Sequence, residues 1–279
     1  IFRKEYDIYG YNPVDLNLFI PTYPNGGTVN EAICTYLRTP AGPDGQSEIA
    51  IEDLVRLPNR KDLAYAVQEE TQEQVLNLIR NAVDISGQSN VVLSGGYGLN
   101  CVANYYYLDQ LKDEGINLFV EPISNDAGTA IGAAMLFYHT NTADETVRPY
   151  AESLYLGPKY DYSIDEIIDA ADRHGAEVSE ADDEVVVDLI TDKNIVAIFQ
   201  GSSESGPRAL GNRSILYDPR DPDGKDHVNT VKHREFFRPF AGSILKEDVH
   251  EWFDLRGMDE TPHMMYAVNC QPGIEEKIP

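Results

Sequence analysis

The sequence predicts an α/β protein of two domains, and three observations carry this prediction. Short apolar runs such as VVL and INLFV are typical of buried strands, and they alternate with stretches of helical periodicity, the order found in parallel sheets. At roughly 150 residues per domain, a chain of 279 residues corresponds to two domains or to one large one. Residues 139–162 are rich in Pro, Thr and charged residues, which is typical of a linker. We therefore expect one domain over residues 1–150 and a second over residues 151–279.

The first half is expected to contain one β-turn-α-β unit. Residues 1–60 show no single period and predict loops and short elements, whereas apolar side chains recur every 3.6 residues or so across 61–83 and predict a helix. VVLSGG then predicts a strand entering a glycine turn, LNCVANYYYLDQLKDEG a helix ending at Gly115, and INLFVEP a second strand parallel to the first. The Gly- and Ala-rich stretch NDAGTAIGAAMLFYHT predicts a helix that packs closely against a neighbour.

The second half begins with a strong helix signal. Ser163 and Glu166 have the spacing of a capping box at the start of SIDEIIDAADRHG, and Gly175 supplies the C-terminal glycine. DDEVVVDLITDK predicts another helix, and NIVAIF predicts a strand that enters a long loop containing several glycines. Short helices and turns are expected in the remainder.

The net charge indicates which partners the chain can bind, and the cysteines indicate the redox compartment. The chain carries 22 Lys and Arg against 47 Asp and Glu, a net charge of −25, so nucleic acid and anionic membrane surfaces would repel it and small molecules are the expected partners. No run approaches the roughly 20 apolar residues of a membrane span. The three cysteines have no CxxC spacing and favour a reducing cytoplasm, and the six histidines form no HxxH or HxxxH pair.

Two motifs follow predicted strands and could bind a nucleotide and a cation. In LSGGYGLN, Gly95 and Gly96 stand at the start of a helix, where backbone N–H groups favour anions such as phosphate. An ordinary tight turn explains the same glycines. In ISNDAG, Asn125 and Asp126 stand where a carboxylate could hold a divalent cation, although a helix cap explains Asp126 as well.

The third motif is a basic window in this acidic chain. Residues 208–238 hold seven of the 22 basic residues against five acidic ones, a local charge of +2. The basic residues are Arg208, Arg213, Arg220, Lys225, Lys232, Arg234 and Arg238. Several are flanked by Gly, Pro and Phe in SGPRALGNRS and KHREFFRPF, surroundings that favour a formed pocket in which planar guanidinium groups capture phosphate or carboxylate. Ser214 could add a hydroxyl, and a solvated ion-pair surface is the alternative. Together the three motifs indicate an ATP-using group transfer of unstated kind.

Several segments, taken in order, resemble the NodU/CmcH family of O-carbamoyltransferases. They are KDLAYAVQEETQEQVLNLI, LSGGYGLNCVANYYYL, EPISNDAGTAIGAAM, LYLGPKY, VAIFQGSSESGPRALGNRSILYDPRD and KHREFFRPFAGSIL. The resemblance runs from about Lys61 to about Phe253 and implies an actin-like ATPase (ASKHA) type domain followed by a YrdC-like α/β domain. It further implies that carbamoyl phosphate and ATP give carbamoyl-adenylate, whose carbamoyl group then passes to a hydroxyl of a sugar or antibiotic-like acceptor.

The same resemblance implies roles for individual residues. Gly95, Gly96, Asn100 and Asn125 would lie at a nucleotide, and Asp126 would bind a divalent metal such as Fe²⁺ or Mg²⁺. Carbamoyl phosphate would be bound by Arg208, Arg213, Ser214, Lys232, Arg234 and Arg238, of which Arg208, Arg213 and Lys232 would be catalytic.

The chain also departs from the family pattern. Family members carry an HxxxH-like pair that completes the metal site, and this sequence has none. The start at Ile1 and the ending EEKIP suggest the middle of a longer natural chain. One alternative is therefore a non-catalytic nucleotide-binding or scaffold protein without the metal half-site. Transfer of threonylcarbamoyl to tRNA is another, which the charge of −25 disfavours. An oligomer is left open.

Overall fold

The computed structural model describes residues 58–142, 144, 146 and 153–278 of the chain. The loops and short elements expected over residues 1–57 lie outside the described residues. The chain divides into two compact units, residues 1–91 with 110–117 and residues 92–109 with 118–279. The boundary expected near residue 150 stays a prediction.

The first unit contains the long helix that the periodicity predicted. Helix α1 covers Pro58–Ser86, and the side chains of Leu76 and Ile79 on its apolar face are buried. Arg80 on the same helix forms a forked pair with Glu114, its Nε lying 3.0 and 3.1 Å from the two carboxylate oxygens. The predicted helix over residues 61–83 is confirmed.

The β-turn-α-β unit is also present. It consists of strand β1 (Asn90–Leu93), helix α2 (Cys101–Leu111) and strand β2 (Asn117–Val120), and β1 pairs with β2. The backbone N–H of Asn117 donates to Ser89 and that of Glu121 donates to Leu93, the same sequence offset at both ends of the pair. A constant offset defines parallel strands, so the predicted parallel pairing is confirmed.

Two 3₁₀ turns complete the β-turn-α-β unit. Gly96–Leu99 leads from β1 into α2, and Lys112–Glu114 ends α2. Gly115 closes the second turn in the left-handed conformation, with φ of 69°, as its expected role at the helix end requires.

Helix α3 covers Ala127–Thr142, but the close packing expected from its composition is confined to its first turn. A Cβ on Gly128 would lie 2.2 Å from the carbonyl oxygen of Ile123, whereas a Cβ on Gly132 would meet nothing within 4 Å. Large side chains further along, such as Phe137, are exposed. The expected close packing is therefore wrong for most of α3. Small residues allow another element to approach closely, but they do not ensure that such an element is present.

The remaining elements follow the predicted order, with three added strands. Helix α4 covers Ile164–His174 with the full capping box of Ser163 and Glu166, and α5 covers Asp183–Thr191. Strand β3 (Val196–Phe199) pairs antiparallel with β4 (Arg213–Leu216), a strand that the pattern did not predict. Helices α6 (Gly224–Val231) and α7 (Val249–Trp252) and the short pair β5 (Phe253–Asp254) and β6 (Asn269–Cys270) complete the described chain. Two further 3₁₀ turns cover Lys246–Asp248 and Ile274–Glu276.

The second unit is held together where its C-terminal segment packs on α2. The Tyr105 ring is buried, its hydroxyl donates to the carbonyl of Asp254 at 2.8 Å, and burial raises the pKa of the phenol. The guanidinium of Arg256 stacks 3.7 Å from the centroid of that ring and donates to the Tyr105 carbonyl. The backbone N–H of Ala267 donates to the carbonyl of Cys101.

Across residues 58–142 and 153–278, no helix combines the length and the apolar character needed to cross a membrane.

Candidate functional site

The glycine turn after β1 is shaped by two different constraints. Gly95 has a backbone φ of 90°, which residues other than glycine rarely adopt. Gly98 is buried, and a Cβ there would lie 2.9 Å from the hydroxyl oxygen of Ser124. Gly96, by contrast, has open space around it. Asn100 caps α2, since its Oδ1 accepts from the backbone N–H of Ala103 at 3.2 Å. The turn therefore forms a capped entrance to α2, and its role in binding phosphate stays a prediction.

Asn104 fixes the position of this turn from inside the second unit. The side chain is fully buried, and its amide nitrogen donates to the carbonyls of Gly98 at 2.8 Å and Met265 at 2.9 Å. Because these two carbonyls are 167 positions apart in the chain, a single amide ties the turn to the C-terminal segment.

The loop before α3 carries the other two residues predicted on this side. The amide oxygen Oδ1 of Asn125 is buried and accepts no hydrogen bond, so it is available to a donor that enters the site. Asp126 is exposed, and in the described part of the chain no backbone N–H donates to its carboxylate, so a capping hydrogen bond is not formed there. Among the described residues, no three His, Cys, Asp or Glu side chains lie together as a metal site.

Arg208 lies against the glycine turn. Its Nη2 donates to the carbonyl of Leu99 at 3.2 Å, and its Nε is buried without a hydrogen-bond partner. The preceding Gly206 has φ of 108° and lies against Pro122 and Ile123, which brings the loop close to the residues before α3. Arg208 is thus placed with the motif predicted to bind the nucleotide.

Glu204 organises the loop that carries the GPRALGNR sequence. One oxygen of its carboxylate accepts three backbone N–H groups, from Leu210 at 2.8 Å, Asn212 at 2.8 Å and Arg213 at 3.2 Å. Burial raises the pKa of Glu204, but the backbone donors outweigh it and hold the pKa below its usual range. The charge of Glu204 is used inside the loop and is not free to act on a substrate.

Arg213 is held in one orientation by neutral groups. Its guanidinium lies 3.6 Å from the centroid of the Phe199 ring and donates to the carbonyls of Gln200, Gly201 and Asn212. A guanidinium has five N–H donors, so Nε and one hydrogen of Nη2 stay without an acceptor among the described residues. Ser214 follows in β4, where its hydroxyl oxygen accepts from the N–H of Gly211 at 2.9 Å. This arrangement suits two-point capture of an anion.

The other predicted basic residues lie in the segment after α6. Lys232 is exposed, and Arg234 lies 5.2 Å from the centroid of the Phe240 ring. Arg238 pairs with Glu235, and this contact raises the pKa of Arg238 and lowers that of Glu235. Among the described residues, no hydrogen bond, ion pair or ring contact joins this segment to Arg213. The roles assigned to these residues stay predictions.

The structure also shows three polar residues that the sequence did not single out. Glu204, Asn104 and Asn229 each bind backbone groups of a loop. The only signal in the sequence was the position of Asn104 and Asn229 on the inward faces of short helices, where a polar side chain is unusual.

Two family models match the chain. The model described as Carbamoyltransferase N-terminus matches residues 46–135, and the model described as Carbamoyltransferase C-terminus matches residues 187–279. The glycine turn and Asp126 lie in the first, and the segments of Glu204, Arg213 and Arg238 lie in the second. The chain belongs to the carbamoyltransferase family, as the resemblance predicted.

Curated relatives include nodulation proteins. Nodulation protein NolNO of Sinorhizobium fredii (strain NBRC 101917 / NGR234) is 37% identical over 216 residues, which cover 75% of this chain and 31% of that protein. Nodulation protein NolO of Bradyrhizobium diazoefficiens is 34% identical over 218 residues, covering 76% of this chain and 39% of that protein. Nodulation protein U of the same species is 32% identical over 209 residues, which cover 74% of this chain and 34% of that protein. The chain thus spans about a third of the length of these relatives.

The substitution Glu204→Gln tests the loop. Because the folded-state pKa lies below the unfolded one, the carboxylate stabilises the fold above an unfolded-state pKa of about 4.3, and this stabilisation is lost as the pH falls through the folded-state value. We expect the variant to lose about 1 to 2 kcal/mol of unfolding free energy at pH 7, and less below about pH 4. Urea denaturation between pH 3 and pH 7 measures this, with Glu180→Gln at an exposed loop position as control. A pH-independent difference would contradict the interpretation.

Proposed function

We propose that the protein containing this chain is an ATP-dependent O-carbamoyltransferase. In this proposal the carbamoyl group of carbamoyl phosphate passes, through carbamoyl-adenylate, to a hydroxyl of a sugar or antibiotic-like small molecule. The observation that carries the proposal is the unpaired edge of the Arg213 guanidinium, held rigidly in the region matched by the C-terminal family model.

The proposed carbamoyl transfer has three steps, in each of which one bond forms and one breaks. Water releases inorganic phosphate from carbamoyl phosphate and leaves carbamate. A carbamate oxygen then attacks the α-phosphorus of ATP, and pyrophosphate leaves. Finally the acceptor hydroxyl attacks the carbamoyl carbon, its proton passes to a base, and AMP leaves. Adenylation supplies the good leaving group that carbamate itself lacks.

The basic residues would act in the first two steps by binding negative charge. Nε and the free hydrogen of Nη2 of Arg213 would donate to one phosphate or carboxylate, and Ser214 would add its hydroxyl to the donor site. Lys232, Arg234 and Arg238 would add positive charge to the donor site. Arg208 would act nearer the glycine turn, where its Nε and the amide oxygen of Asn125 are both buried without partners.

A nucleotide and a divalent metal are the proposed cofactors. Gly95 and Gly96 would let a phosphate approach the start of α2, and Asn100, which caps that helix, would lie beside the nucleotide. Asp126 is the proposed metal ligand, but no group of three His, Cys, Asp or Glu side chains forms among the described residues. The described part of the chain does not form a metal site by itself, so no step is assigned to the metal.

A non-catalytic nucleotide-binding or scaffold protein that has lost the metal half-site is the second candidate, because this sequence contains no HxxxH-like pair. The net charge of −25 supports small-molecule partners over nucleic acid in either case. The cysteine pattern supports a cytoplasmic location.

The first half-reaction separates the two candidates. The complete gene product is incubated with ATP, carbamoyl phosphate and a divalent metal but no acceptor, and carbamoyl-adenylate and pyrophosphate are followed by mass spectrometry and a coupled assay. We expect both products in equal amounts. ATP binding without either product would favour the non-catalytic protein.

The substitution Arg213→Ala tests the donor site. Loss of a two-point charge-assisted contact is expected to raise the KM for carbamoyl phosphate about 10-fold or more. Steady-state pyrophosphate release measures the change, and Arg173→Ala, at an exposed arginine that donates only to Asp169 of its own helix, is the matched control. An unchanged KM and kcat would remove Arg213 from the site.

The substitution Asp126→Asn tests the metal proposal. If the carboxylate is a ligand, the neutral amide binds the cation more weakly and metal content should fall several-fold. Metal per protein is measured by plasma mass spectrometry after dialysis, with Asp113→Asn at an exposed turn as control. Full occupancy in the Asp126 variant would show that this residue is not a ligand.

A further inference from the structure

A buried asparagine organises the segment that carries three of the proposed donor-site residues. Asn229 on α6 is fully buried, and its amide nitrogen donates to the carbonyl of Arg238 at 2.9 Å and more weakly to that of Phe236 at 3.4 Å. Its backbone carbonyl accepts from the N–H of Arg234 at 2.9 Å. One residue therefore holds both ends of the segment Lys232–Arg238, which we call the basic loop.

The conformation of the basic loop needs such support. His233 has φ of 51°, in the left-handed region that non-glycine residues seldom occupy. The loop contains no strand. The backbone N–H groups of Lys232, His233 and Arg234 donate to carbonyls of α6, whereas that of Arg238 donates to Glu235 in a turn within the loop. Without an added partner, a loop of this kind samples many conformations and spreads its basic side chains.

A buried asparagine at position 229 stabilises the fold less than its burial would suggest. Its amide oxygen Oδ1 is buried without a hydrogen-bond partner, which costs free energy in a protein interior. A leucine has nearly the same shape and would fill the space without an unpaired oxygen. The amide therefore contributes the shape of the loop more than the stability of the fold.

We propose that Asn229 is a positioning residue that sets the basic loop in the geometry required to bind carbamoyl phosphate. Its side-chain amide acts through the backbone carbonyls of Phe236 and Arg238 and does not itself contact the substrate. This inference rests on the proposed function, because the ligand of the loop is taken from it.

The substitution Asn229→Leu removes the amide and keeps the volume. We expect the KM for carbamoyl phosphate to rise about 10-fold or more, while the KM for ATP stays within about 2-fold. Asn194→Leu is the matched control, because Asn194 also donates to a backbone carbonyl, that of Leu189, but is exposed at the end of α5. Both variants are assayed by pyrophosphate release in the complete gene product.

The outcomes separate the inference from the function it rests on. If the wild-type protein forms no carbamoyl-adenylate, the proposed function fails. If the wild type does so and Asn229→Leu leaves the KM for carbamoyl phosphate unchanged, or raises both KM values together with a lower melting temperature, Asn229 is not a positioning residue for the donor.

Hydrogen exchange on the wild-type protein tests whether the basic loop binds carbamoyl phosphate, even if the variant does not fold. Carbamoyl phosphate should slow amide exchange at residues 232–238, most of all at Arg234, whose N–H is bonded to Asn229. Equal exchange with and without saturating carbamoyl phosphate would overturn the proposal.

Discussion

Long loops leave backbone N–H and C=O groups without ladder partners, and this constraint governs the candidate site. Here single polar side chains supply the missing partners. Glu204 accepts three N–H groups of the loop before β4, Asn104 donates to a carbonyl of the glycine turn, and Asn229 donates to two carbonyls of the basic loop. Each loop is thereby closed by one residue, so the geometry of the site depends on a few buried or half-buried groups and much less on regular secondary structure.

Hydrogen bonds to backbone carbonyls also explain how this acidic chain can keep one arginine charge available for an anion. Arg220 and Arg238 are paired with carboxylates, which cancel most of their field. Arg213 is instead oriented by carbonyl oxygens and an aromatic ring, which fix its direction without neutralising it. Its charge can therefore act on a ligand, whereas the net charge of −25 acts on larger, polyanionic partners by repelling them.

The two parts recognised by the family models meet within the second unit. Arg208 reaches the glycine turn through Leu99, and Asn104, Tyr105 and Arg256 join α2 to the segment after β5. These contacts combine a buried amide, a stacked guanidinium and short backbone bonds, so the turn and the C-terminal segment form one packed body. A substitution in either part would therefore affect the packing of the other.

The sequence by itself determined the α/β class, the β-turn-α-β unit, the capped helix at Ser163 and the family, because periodicity, caps and glycine turns are local signals and GPRALGNRS is a long specific string. It also pointed to the basic window, since charge composition is readable without coordinates. Only the tertiary structure decided that Arg208 lies by the glycine turn while Arg213 stacks on Phe199, and that three polar side chains close the loops. The contacts of Arg208 and Asn104 join distant segments, and those of Arg213, Glu204 and Asn229 depend on the path of a loop. Neither residue type nor spacing encodes which carbonyl such a side chain will meet.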